Sequence, residues 1–377
     1  MKIGILTFHV ALNVGAQLQA FALFRTLVDL GHDAKFIRYE PKYLKKPYRF
    51  FRNVNVKNGI ASCVKQTLLH IIYDTCTWIK TKRHYTGFQK KYYAFTPTRF
   101  GRLSELADTD FDAIIVGSDQ IWNPEITNGC LDRFYTLDFK SNRIRKISYA
   151  ASFSQKHITQ SDTFTLVERL RSFQAISVRE ADLKSYLSAF CNLPIDVVLD
   201  PTLLLTKRQW VELMPKQRII TERYVLLYQA RGEKKKILAQ ATNLADKLHA
   251  KVYDASGMNY RINKHSKQYV NPIEFLNLVY FAEAIITISF HGTALSLILE
   301  KPFFSICLND GRDGRVENLL KTVGLLQQLK TPEDVLDCPI IDYSQIESCL
   351  EEKRKESLLF LNKALDNGYL DIQSVNR

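Results

Sequence analysis

The sequence predicts an α/β protein built from two doubly wound domains that face a cleft. Three observations lead to this prediction. The chain has 377 residues, enough for two domains with separate cores. Short runs rich in β-branched residues alternate with amphipathic stretches of helical period. This pattern breaks near Pro201 and begins again at "RYVLLYQA", so the alternation occurs twice.

The N-terminal part reads as a strand–helix–strand unit. "KIGILTF" is a buried type of strand, "QLQAFALFRTLVDLG" is a helix that ends at Gly31, and "DAKFIRY" is the next strand. Short links between such elements indicate a parallel sheet with helices on both faces. The remaining strands predicted for the first domain are "FDAIIVG", "RKISYAASF", "FQAISVRE" and "IDVVLDP".

The second domain repeats the pattern after the break. Its predicted strands are "RYVLLYQA", "AKVYDAS", "EAIITISF" and "PFFSIC", with a helix from Pro272 to Tyr280 and another after His291. We place the first domain at residues 1–205 and the second at 206–343. Residues 344–377 hold an amphipathic helix that could pack on either domain.

The excess positive charge lies in one segment. Residues 42–102 contain fourteen Lys and Arg against one acid, Asp74, and fourteen minus one equals the net charge of +13. We interpret this aromatic-rich segment as an insertion in the first domain. It either contacts an anionic membrane surface, with a helical stripe across residues 60–79 and Trp78 as anchor, or packs on the core with solvated charges. No nucleic-acid-binding motif accompanies it, so we expect no nucleic-acid partner.

The cysteine content and the distribution of apolar residues indicate the cellular compartment of the protein. The seven cysteines are odd in number and form no Cys-x-x-Cys pair, which indicates neither a disulfide framework nor a zinc site. His9, Asn13 and Gln17 interrupt the apolar N-terminus, unlike a signal peptide, and no apolar run has the length of a membrane span. We expect a cytoplasmic protein, with segment 42–102 as the candidate contact with the inner membrane face.

Polar residues collect where the predicted strands end. Ligands of open α/β sheets bind beyond the carboxyl ends of the strands, near helix N-termini that attract anions. His291 follows "ITISF" at such an end, ahead of Gly292 and Thr293. It is either a helix-start residue bonded to backbone, or a donor to an anion that can also move a proton near neutral pH.

Three arginines are candidates for anion binding. Arg179 in "SVRE" either pairs with a neighbouring acid, Glu180 or Asp182, or forks onto a carboxylate or phosphate. Arg312 and Arg315 lie in the Gly-rich turn "NDGRDGR", which could equally be a solvated loop. Of these two, we expect Arg315 to turn inward because it is closer to the next helix.

Two further stretches suggest sugar binding. In "VGSDQIWNP", Asp119 either caps a turn or helps to form a carbohydrate surface, with indole stacking on the sugar and amides on its hydroxyls. In "NVGAQLQ", Gly15 could simply supply a permissive turn. The residues predicted to contact an acceptor are Asn13, Gly15, Gln17, Ser118, Gln120, Trp122 and Asn123.

Taken together, these stretches resemble the polysaccharide pyruvyl transferase family. The similarity is carried in order by "NVGAQLQAFAL", "DFDAIIVGSDQIWNP", "ISYAASF", "AISVRE", "VLDPTLLL" and "SFHGTALSLILEKPF". The resemblance implies two Rossmann-like domains in a glycosyltransferase-B-like arrangement. It also implies transfer of pyruvate from phosphoenolpyruvate onto a sugar as a cyclic ketal, on a polysaccharide, capsule or lipid-linked glycan precursor.

The resemblance places the donor site at Arg179 and His291, with Arg315 beside them. Arg312, Ser289, Gly292 and Thr293 complete our predicted donor-binding set. His291 is the candidate general acid, and Asp119 or Glu180 could accept hydroxyl protons. This chemistry requires neither a metal nor an organic cofactor, with phosphoenolpyruvate acting as co-substrate.

The sequence is also compatible with two other functions. The same fold could use a nucleotide sugar and act as a glycosyltransferase, which would require a base and ribose pocket in the second domain. A non-catalytic, membrane-associated partner in capsule assembly is the other alternative. For that role the basic segment would matter and His291 would not.

Overall fold

A computed structural model describes residues 1–45, 79–229, 234–256, 270–338 and 340–366. Within these ranges the chain forms two sheets, each with only parallel strand pairings. We refer to the parts of the chain that carry them as the first and second domains. The fold class is therefore α/β as predicted, while the exact domain boundaries stay a prediction. The predicted amphipathic stripe with Trp78 lies outside the described residues, apart from its last position.

The first domain has a seven-stranded sheet in the order β3-β2-β1-β4-β5-β6-β7. Its strands are β1 (Lys2–Leu6), β2 (Asp33–Arg38), β3 (Phe95–Arg99), β4 (Ala113–Asp119), β5 (Arg145–Ala151), β6 (Ala175–Val178) and β7 (Ile195–Val197). Its helices are α1 (Val14–Asp29), α2 (Lys42–Lys45), α3 (79–92), α4 (Leu103–Ala107), α5 (Gln160–Leu170) and α6 (Ala181–Ser188).

The second domain has a five-stranded sheet in the order β12-β11-β10-β8-β9. Its strands are β8 (Tyr224–Tyr228), β9 (Lys251–Asp254), β10 (Ala284–Thr287), β11 (Phe303–Ile306) and β12 (Leu329–Lys330). The helices from the domain junction onward are α7 (Lys207–Glu212), α8 (Lys234–Lys247), α9 (Pro272–Tyr280), α10 (Phe290–Ile298), α11 (Gly314–Thr322) and α12 (Tyr343–Leu365).

Local sequence signals explain where these helices begin. Asn13 caps α1 by accepting a hydrogen bond from the Ala16 amide at 3.0 Å. At α9, Asn271 and Glu274 form a reciprocal capping box with Pro272 in the first turn. Such caps satisfy backbone N–H groups that have no partner within the helix. These signals start α9 at Pro272 as predicted, whereas α1 starts at Val14, earlier than the predicted helix that begins at Gln17.

The basic segment includes part of the first sheet. The sequence interpretation assigned 42–102 as an insertion, but β3 within it pairs with β2 at the sheet edge. Helix α3 packs Tyr85 and Phe88 into the core, and Tyr93 stacks on Phe36 with ring centroids 4.3 Å apart. The described C-terminal part of this segment is therefore integral to the domain, because its aromatic residues bury the edge of the sheet.

Helix α12 packs back on the first domain. Ser357 accepts a hydrogen bond from the Leu199 amide at 2.9 Å, and Arg354 donates to the Leu203 carbonyl at 3.0 Å. Its first residue, Tyr343, donates to the Lys301 carbonyl of the second domain at 2.5 Å. The sequence left the choice between the two domains open, and the structure shows that this helix touches both.

Candidate functional site

The carboxyl ends of the two sheets meet at one place. Both sheets reverse strand order there, between β1 and β4 in the first and between β8 and β10 in the second. Such topological switch points leave a crevice in which α/β proteins bind ligands. Ser118 lies at the carboxyl end of β4, the loops after β6 and β7 carry Arg179 and Asp200, and the first turn of α10 carries His291. These side chains form one cluster.

Arg179 is held between two buried carboxylates. Its Nη1 donates to Asp200 Oδ2 at 2.7 Å and its Nε donates to Glu180 Oε1 at 2.9 Å. The side chains of Arg179 and Asp200 are only 3% and 0% exposed. Desolvating these charges is costly unless they stay paired and hydrogen-bonded, so the geometry of the three groups is closely coupled.

Asp200 is the most connected member of the cluster. Its Oδ2 also accepts from Ser118 Oγ at 2.9 Å, and its Oδ1 accepts from the Thr202 amide at 3.0 Å and hydroxyl at 2.7 Å. Burial alone would raise the pKa of Asp200, but His291, Arg179 and Thr202 bring it well below its usual range. Asp200 is thus a carboxylate fixed in charge and position.

The guanidinium of Arg179 stays cationic in this site. Burial lowers its pKa, but the Glu180 and Asp200 carboxylates outweigh burial and raise the pKa above its ordinary value. Its carbon Cζ lies 4.2 Å from the ring centroid of Phe290, at the start of α10. This cation–π contact joins a first-domain cation to the second domain.

His291 enters the cluster from the second domain. It is the second residue of α10, and its Nε2 lies 3.8 Å from Asp200 Oδ2, too far for a hydrogen bond. On the other side, a Cβ placed on Gly15 would lie 2.2 Å from His291 Nδ1. The imidazole is therefore enclosed by first-domain residues, with 9% of its side chain exposed.

Three polar atoms of this cluster have no hydrogen-bond partner among the described residues. They are Arg179 Nη2, Glu180 Oε2 and His291 Nε2. Buried polar groups are normally satisfied, so several unsatisfied atoms in one cluster are evidence for a ligand-binding role. A guanidinium N–H can donate to an anion, an imidazole nitrogen can carry a proton, and a carboxylate oxygen can accept one.

A loop of the second domain reaches across to the first. Arg312 Nη2 donates to Glu125 Oε1 at 2.7 Å, and both side chains are partly exposed. With the Gln120 amide oriented to suit its neighbours, its oxygen accepts from Arg315 Nη1 at 3.0 Å and Nη2 at 3.2 Å. Both arginines therefore contact the first domain. Arg315 does so through Gln120, and Arg312 does so through a partly exposed ion pair.

The other predicted donor residues have structural partners. Ser289 caps α10 by accepting from the Gly292 amide at 3.4 Å, and Thr293 shares a 2.7 Å hydrogen bond with the Ser305 hydroxyl. A Cβ on Gly292 would lie 2.3 Å from Thr287 Oγ1, so glycine permits close packing of α10 on β10. These contacts use Ser289, Gly292 and Thr293, which the sequence predicts to bind the donor. Donor binding by these residues remains a prediction.

Two predicted acceptor contacts do not fit the structure. Trp122 is fully buried in the first-domain core and its Nε1 donates to the Tyr135 carbonyl at 3.0 Å, so it cannot stack on a sugar as placed. Gln17 is also fully buried, and its Nε2 donates to the carbonyls of His9 at 2.6 Å and Ala11 at 2.9 Å. Residue type suggested recognition, whereas depth in the core gives both a structural role.

The remaining predicted acceptor residues have identifiable positions. Asn13 caps α1, and Asn123 is buried, with Oδ1 accepting from the Glu125 amide at 3.1 Å. Asp119 has a positive φ of 76° and accepts from the Gln120 amide at 2.9 Å, which is the turn-capping role. Asn13 and Gln120 are partly exposed, so they stay candidates for acceptor contact.

Asp200 and Phe290 were missed as site residues. In the sequence, "VLDPTLLL" reads as the passage between domains, although Asp200 follows β7 and Arg179 follows β6. The strand-end rule applied to every predicted strand would have found Asp200. No comparable sequence signal identifies Phe290, because its contact with Arg179 exists only once the two domains are together.

The described residues contain neither a cluster of metal ligands nor a membrane-spanning helix. Across the described ranges, no group of three or more His, Cys, Asp and Glu residues is arranged to hold a metal ion. No helix in that part of the chain has both the length and the apolar character needed to cross a membrane.

Comparison with known proteins assigns the family. The polysaccharide pyruvyl transferase model matches residues 13–307, more than half of the chain, and the chain belongs to this family. This match contains every member of the cluster and confirms the resemblance found in the sequence. No curated protein matches the chain.

Solved structures similar to this chain include UDP-N-acetylglucosamine 2-epimerases. The Methanocaldococcus jannaschii enzyme, in complex with UDP-GlcNAc and UDP, has a TM-score of 0.45 and 16% identity, covering 93% of this chain and 99% of its own. The Neisseria meningitidis enzyme bound to UDP-GlcNAc has a TM-score of 0.45 and 14% identity, with 98% and 96% covered. At this level of similarity nothing follows about activity.

Proposed function

We propose that this polysaccharide pyruvyl transferase uses phosphoenolpyruvate as donor and forms a cyclic pyruvate ketal on a sugar. The acceptor is a polysaccharide or lipid-linked oligosaccharide precursor. One observation carries the proposal. A buried arginine and a buried histidine from two facing domains lie on one carboxylate, and each has a polar atom without a partner in the described chain.

The charge of the donor suits this arrangement. Phosphoenolpyruvate carries a carboxylate and a phosphate close together, so its site needs fixed cationic donors. Arg179 Nη2 and His291 Nε2 are unpartnered and can take that role, and Arg315 lies at the start of α11 on the other side of the cleft. Low local dielectric strengthens each of these contacts, which explains why the site is buried.

The reaction assigned to the site balances without a further reactant. Protonation of the donor methylene carbon by His291 gives a methyl group and makes the adjacent carbon electrophilic. One sugar hydroxyl adds to that carbon, and the bond to phosphate breaks with the electron pair leaving on the phosphate oxygen. A second hydroxyl then closes the ketal. Of the two hydroxyl protons, one returns to His291, and the other passes through a carboxylate base to the departing phosphate.

Glu180 is the better of the two candidate bases. Its Oε1 is fixed by Arg179 Nε and by Ser152 Oγ, at 2.9 and 3.0 Å, while its Oε2 has no partner within the described structure. Asp119 instead uses Oδ1 to cap its own turn. An anchored carboxylate with one unused oxygen can accept a hydroxyl proton without rearrangement.

The membrane surface remains a proposed partner. Helix α3 exposes several cations on the first domain, namely Lys80, Lys82, Arg83, Lys90 and Lys91. Each Lys or Arg near an anionic leaflet contributes about 1 kcal/mol of attraction. Sedimentation with phosphatidylserine vesicles, compared with neutral vesicles, tests whether this face brings the enzyme to a lipid-linked acceptor. Equal sedimentation with both vesicle types would contradict it.

The reaction is tested by phosphate release from phosphoenolpyruvate. Wild-type and His291→Ala proteins are compared on lipid-linked and aryl glycosides of galactose, mannose and N-acetylmannosamine, and the products are analysed by mass spectrometry. We expect release that requires both acceptor and His291, with a product heavier by one pyruvyl ketal. His249→Asn is the control, because His249 is exposed and its φ of 49° suits asparagine.

Other outcomes identify the alternatives. Transfer from a nucleotide sugar without phosphate release from phosphoenolpyruvate would contradict the proposal and indicate a glycosyltransferase. In cells, unchanged glycan after His291→Ala, together with a glycan defect after neutralisation of the exposed α3 cations, would indicate a non-catalytic partner.

A further inference from the structure

The imidazole of His291 is confined by the first domain on two sides. Asp200 Oδ2 lies 3.8 Å from Nε2, and the backbone of Gly15 covers the opposite edge of the ring. A Cβ on Gly15 would meet Nδ1 at 2.2 Å, Cγ at 2.4 Å and Cβ of His291 at 2.8 Å. All three distances are below the 3.0 Å that real Cβ atoms respect, so only glycine fits.

The backbone of Gly15 does not itself require glycine. Gly15 is the second residue of α1 and its φ is not positive. In a helix, alanine is more favourable than glycine by about 1 kcal/mol. A glycine at this position therefore costs helix stability and indicates that close approach of another group is needed. In this structure that group is His291.

We propose that Gly15 is a positioning residue, which lets the first turn of α1 press the His291 ring into place beside Asp200. The sequence predicts that Gly15 either supplies a permissive turn or contacts the acceptor. In the structure it lies in α1 and contacts His291 of the second domain. This inference rests on the proposed function for its catalytic consequence. The reactive histidine of the second domain is oriented only when the first domain is closed on it.

The closed arrangement has support beyond Gly15. Arg179 of the first domain lies over Phe290, the residue before His291, with Cζ 4.2 Å from the ring centroid. Ser154 Oγ approaches the Gly311 carbonyl at 3.5 Å, and Arg312 pairs with Glu125. These contacts join the same two domains as the Gly15–His291 contact, and so they support the closed arrangement in which His291 lies against Gly15.

Gly15→Ala tests the catalytic consequence. An error of about 1 Å in the position of a reacting group lowers rate about 10²-fold, and we expect a loss of kcat of that order. The KM for phosphoenolpyruvate should rise by a smaller factor than kcat falls, because Arg179 still binds the donor. Gly87→Ala is the matched control, since Gly87 lies in α3 with nothing within 4 Å of its added Cβ. Equal kcat in the two variants would overturn the proposal.

A double-mutant cycle tests the contact independently of catalysis. Gly15→Ala should lower Tm in the wild-type background, where the new methyl group clashes with the ring. In the His291→Gly background all three clashing atoms of residue 291 are absent, so the same substitution should leave Tm unchanged or raise it. An equal drop in both backgrounds would overturn the proposal.

The cycle remains informative if the variant or the proposed reaction fails. If Gly15→Ala alone does not fold, folding of the Gly15→Ala/His291→Gly double variant supports the contact, and failure of both overturns it. If wild-type protein releases no phosphate from phosphoenolpyruvate, the proposed function fails while the Tm cycle still decides the positioning of His291.

Discussion

The strand ends of the two domains use their polar residues differently. After β10, Ser289, Gly292 and Thr293 have structural uses, so only His291 is left with an unpartnered polar atom in that described turn. After β6, Arg179 and Glu180 are buried, charged and incompletely bonded. One domain thus offers a single reactive group on a stable frame, and the other offers a charged network that is incomplete without a ligand.

Replacing Arg179 in the charged network of the first domain should have the largest effect on stability. Arg179→Met leaves two buried carboxylates without their cation, so we expect the free energy of unfolding to fall by about 3–5 kcal/mol. Chemical denaturation measures it. Arg208→Met is the control, since its ion pair with Glu212 is exposed and contributes about 0–1 kcal/mol. Similar losses in the two variants would mean that the buried network does not hold together in solution.

The first domain should also be the more acid-sensitive one. His9 is buried after β1 between Phe36 and Phe95, and burial lowers its pKa to about 4 from 6.5. The unfolded chain therefore binds this proton between pH 6.5 and 4 while the folded chain does not. Stability should fall as pH falls through that window, by about 3 kcal/mol at pH 4.

His9→Phe isolates this contribution. The Thr7 carbonyl that His9 Nδ1 contacts at 3.1 Å also accepts from the His9 amide at 2.8 Å, so the variant leaves no carbonyl unpaired. Urea denaturation of both proteins at pH 7 and pH 4 gives the difference. A wild-type protein that loses no more stability than His9→Phe between these pH values would rule out the buried neutral imidazole.

Neutralising the central carboxylate should have an intermediate effect. In Asp200→Asn, the amide nitrogen replaces one carboxylate oxygen and faces hydrogen-bond donors in either orientation. These donors are Arg179 and Ser118 at the Oδ2 position, or Thr202 at the Oδ1 position. The loss of charge-assisted hydrogen bonds should cost about 1.5–3 kcal/mol. Asp337→Asn, whose side chain is 82% exposed, is the control. If Asp200→Asn is as stable as this control, Asp200 does not organise the cluster.

The smallest effect compares the helix caps of the two domains. Asn13 accepts from Ala16 at 3.0 Å and Ser289 accepts from Gly292 at 3.4 Å, the longer and weaker contact. Replacing a cap by alanine costs about 1 kcal/mol. We expect Asn13→Ala to be destabilised more than Ser289→Ala in thermal unfolding. The reverse order would assign Ser289 a stabilising contact beyond its cap.

The sequence predicted most of the strands because their apolar runs are continuous and their ends carry turn residues. It also predicted where Arg179 and His291 lie, because parallel strands place their carboxyl ends at one edge. The same rule extends to Asp200 after β7, whereas the contact between Arg179 and Phe290 could not be predicted, because it forms only where the two domains meet. Trp122 was predicted wrongly as a sugar contact, because the sequence does not distinguish an indole that stacks on a sugar from one that packs in the core.

The most direct test of the donor site is calorimetric titration of phosphoenolpyruvate into wild-type and Arg179→Lys proteins, with UDP-N-acetylglucosamine titrated in parallel. Lysine keeps the charge but loses the planar fork that contacts both carboxylates and leaves Nη2 for a ligand. We predict that phosphoenolpyruvate binds wild type and loses affinity in the variant, and that the nucleotide sugar binds neither. Binding of the nucleotide sugar without binding of phosphoenolpyruvate would contradict the assignment of the cluster as a phosphoenolpyruvate site.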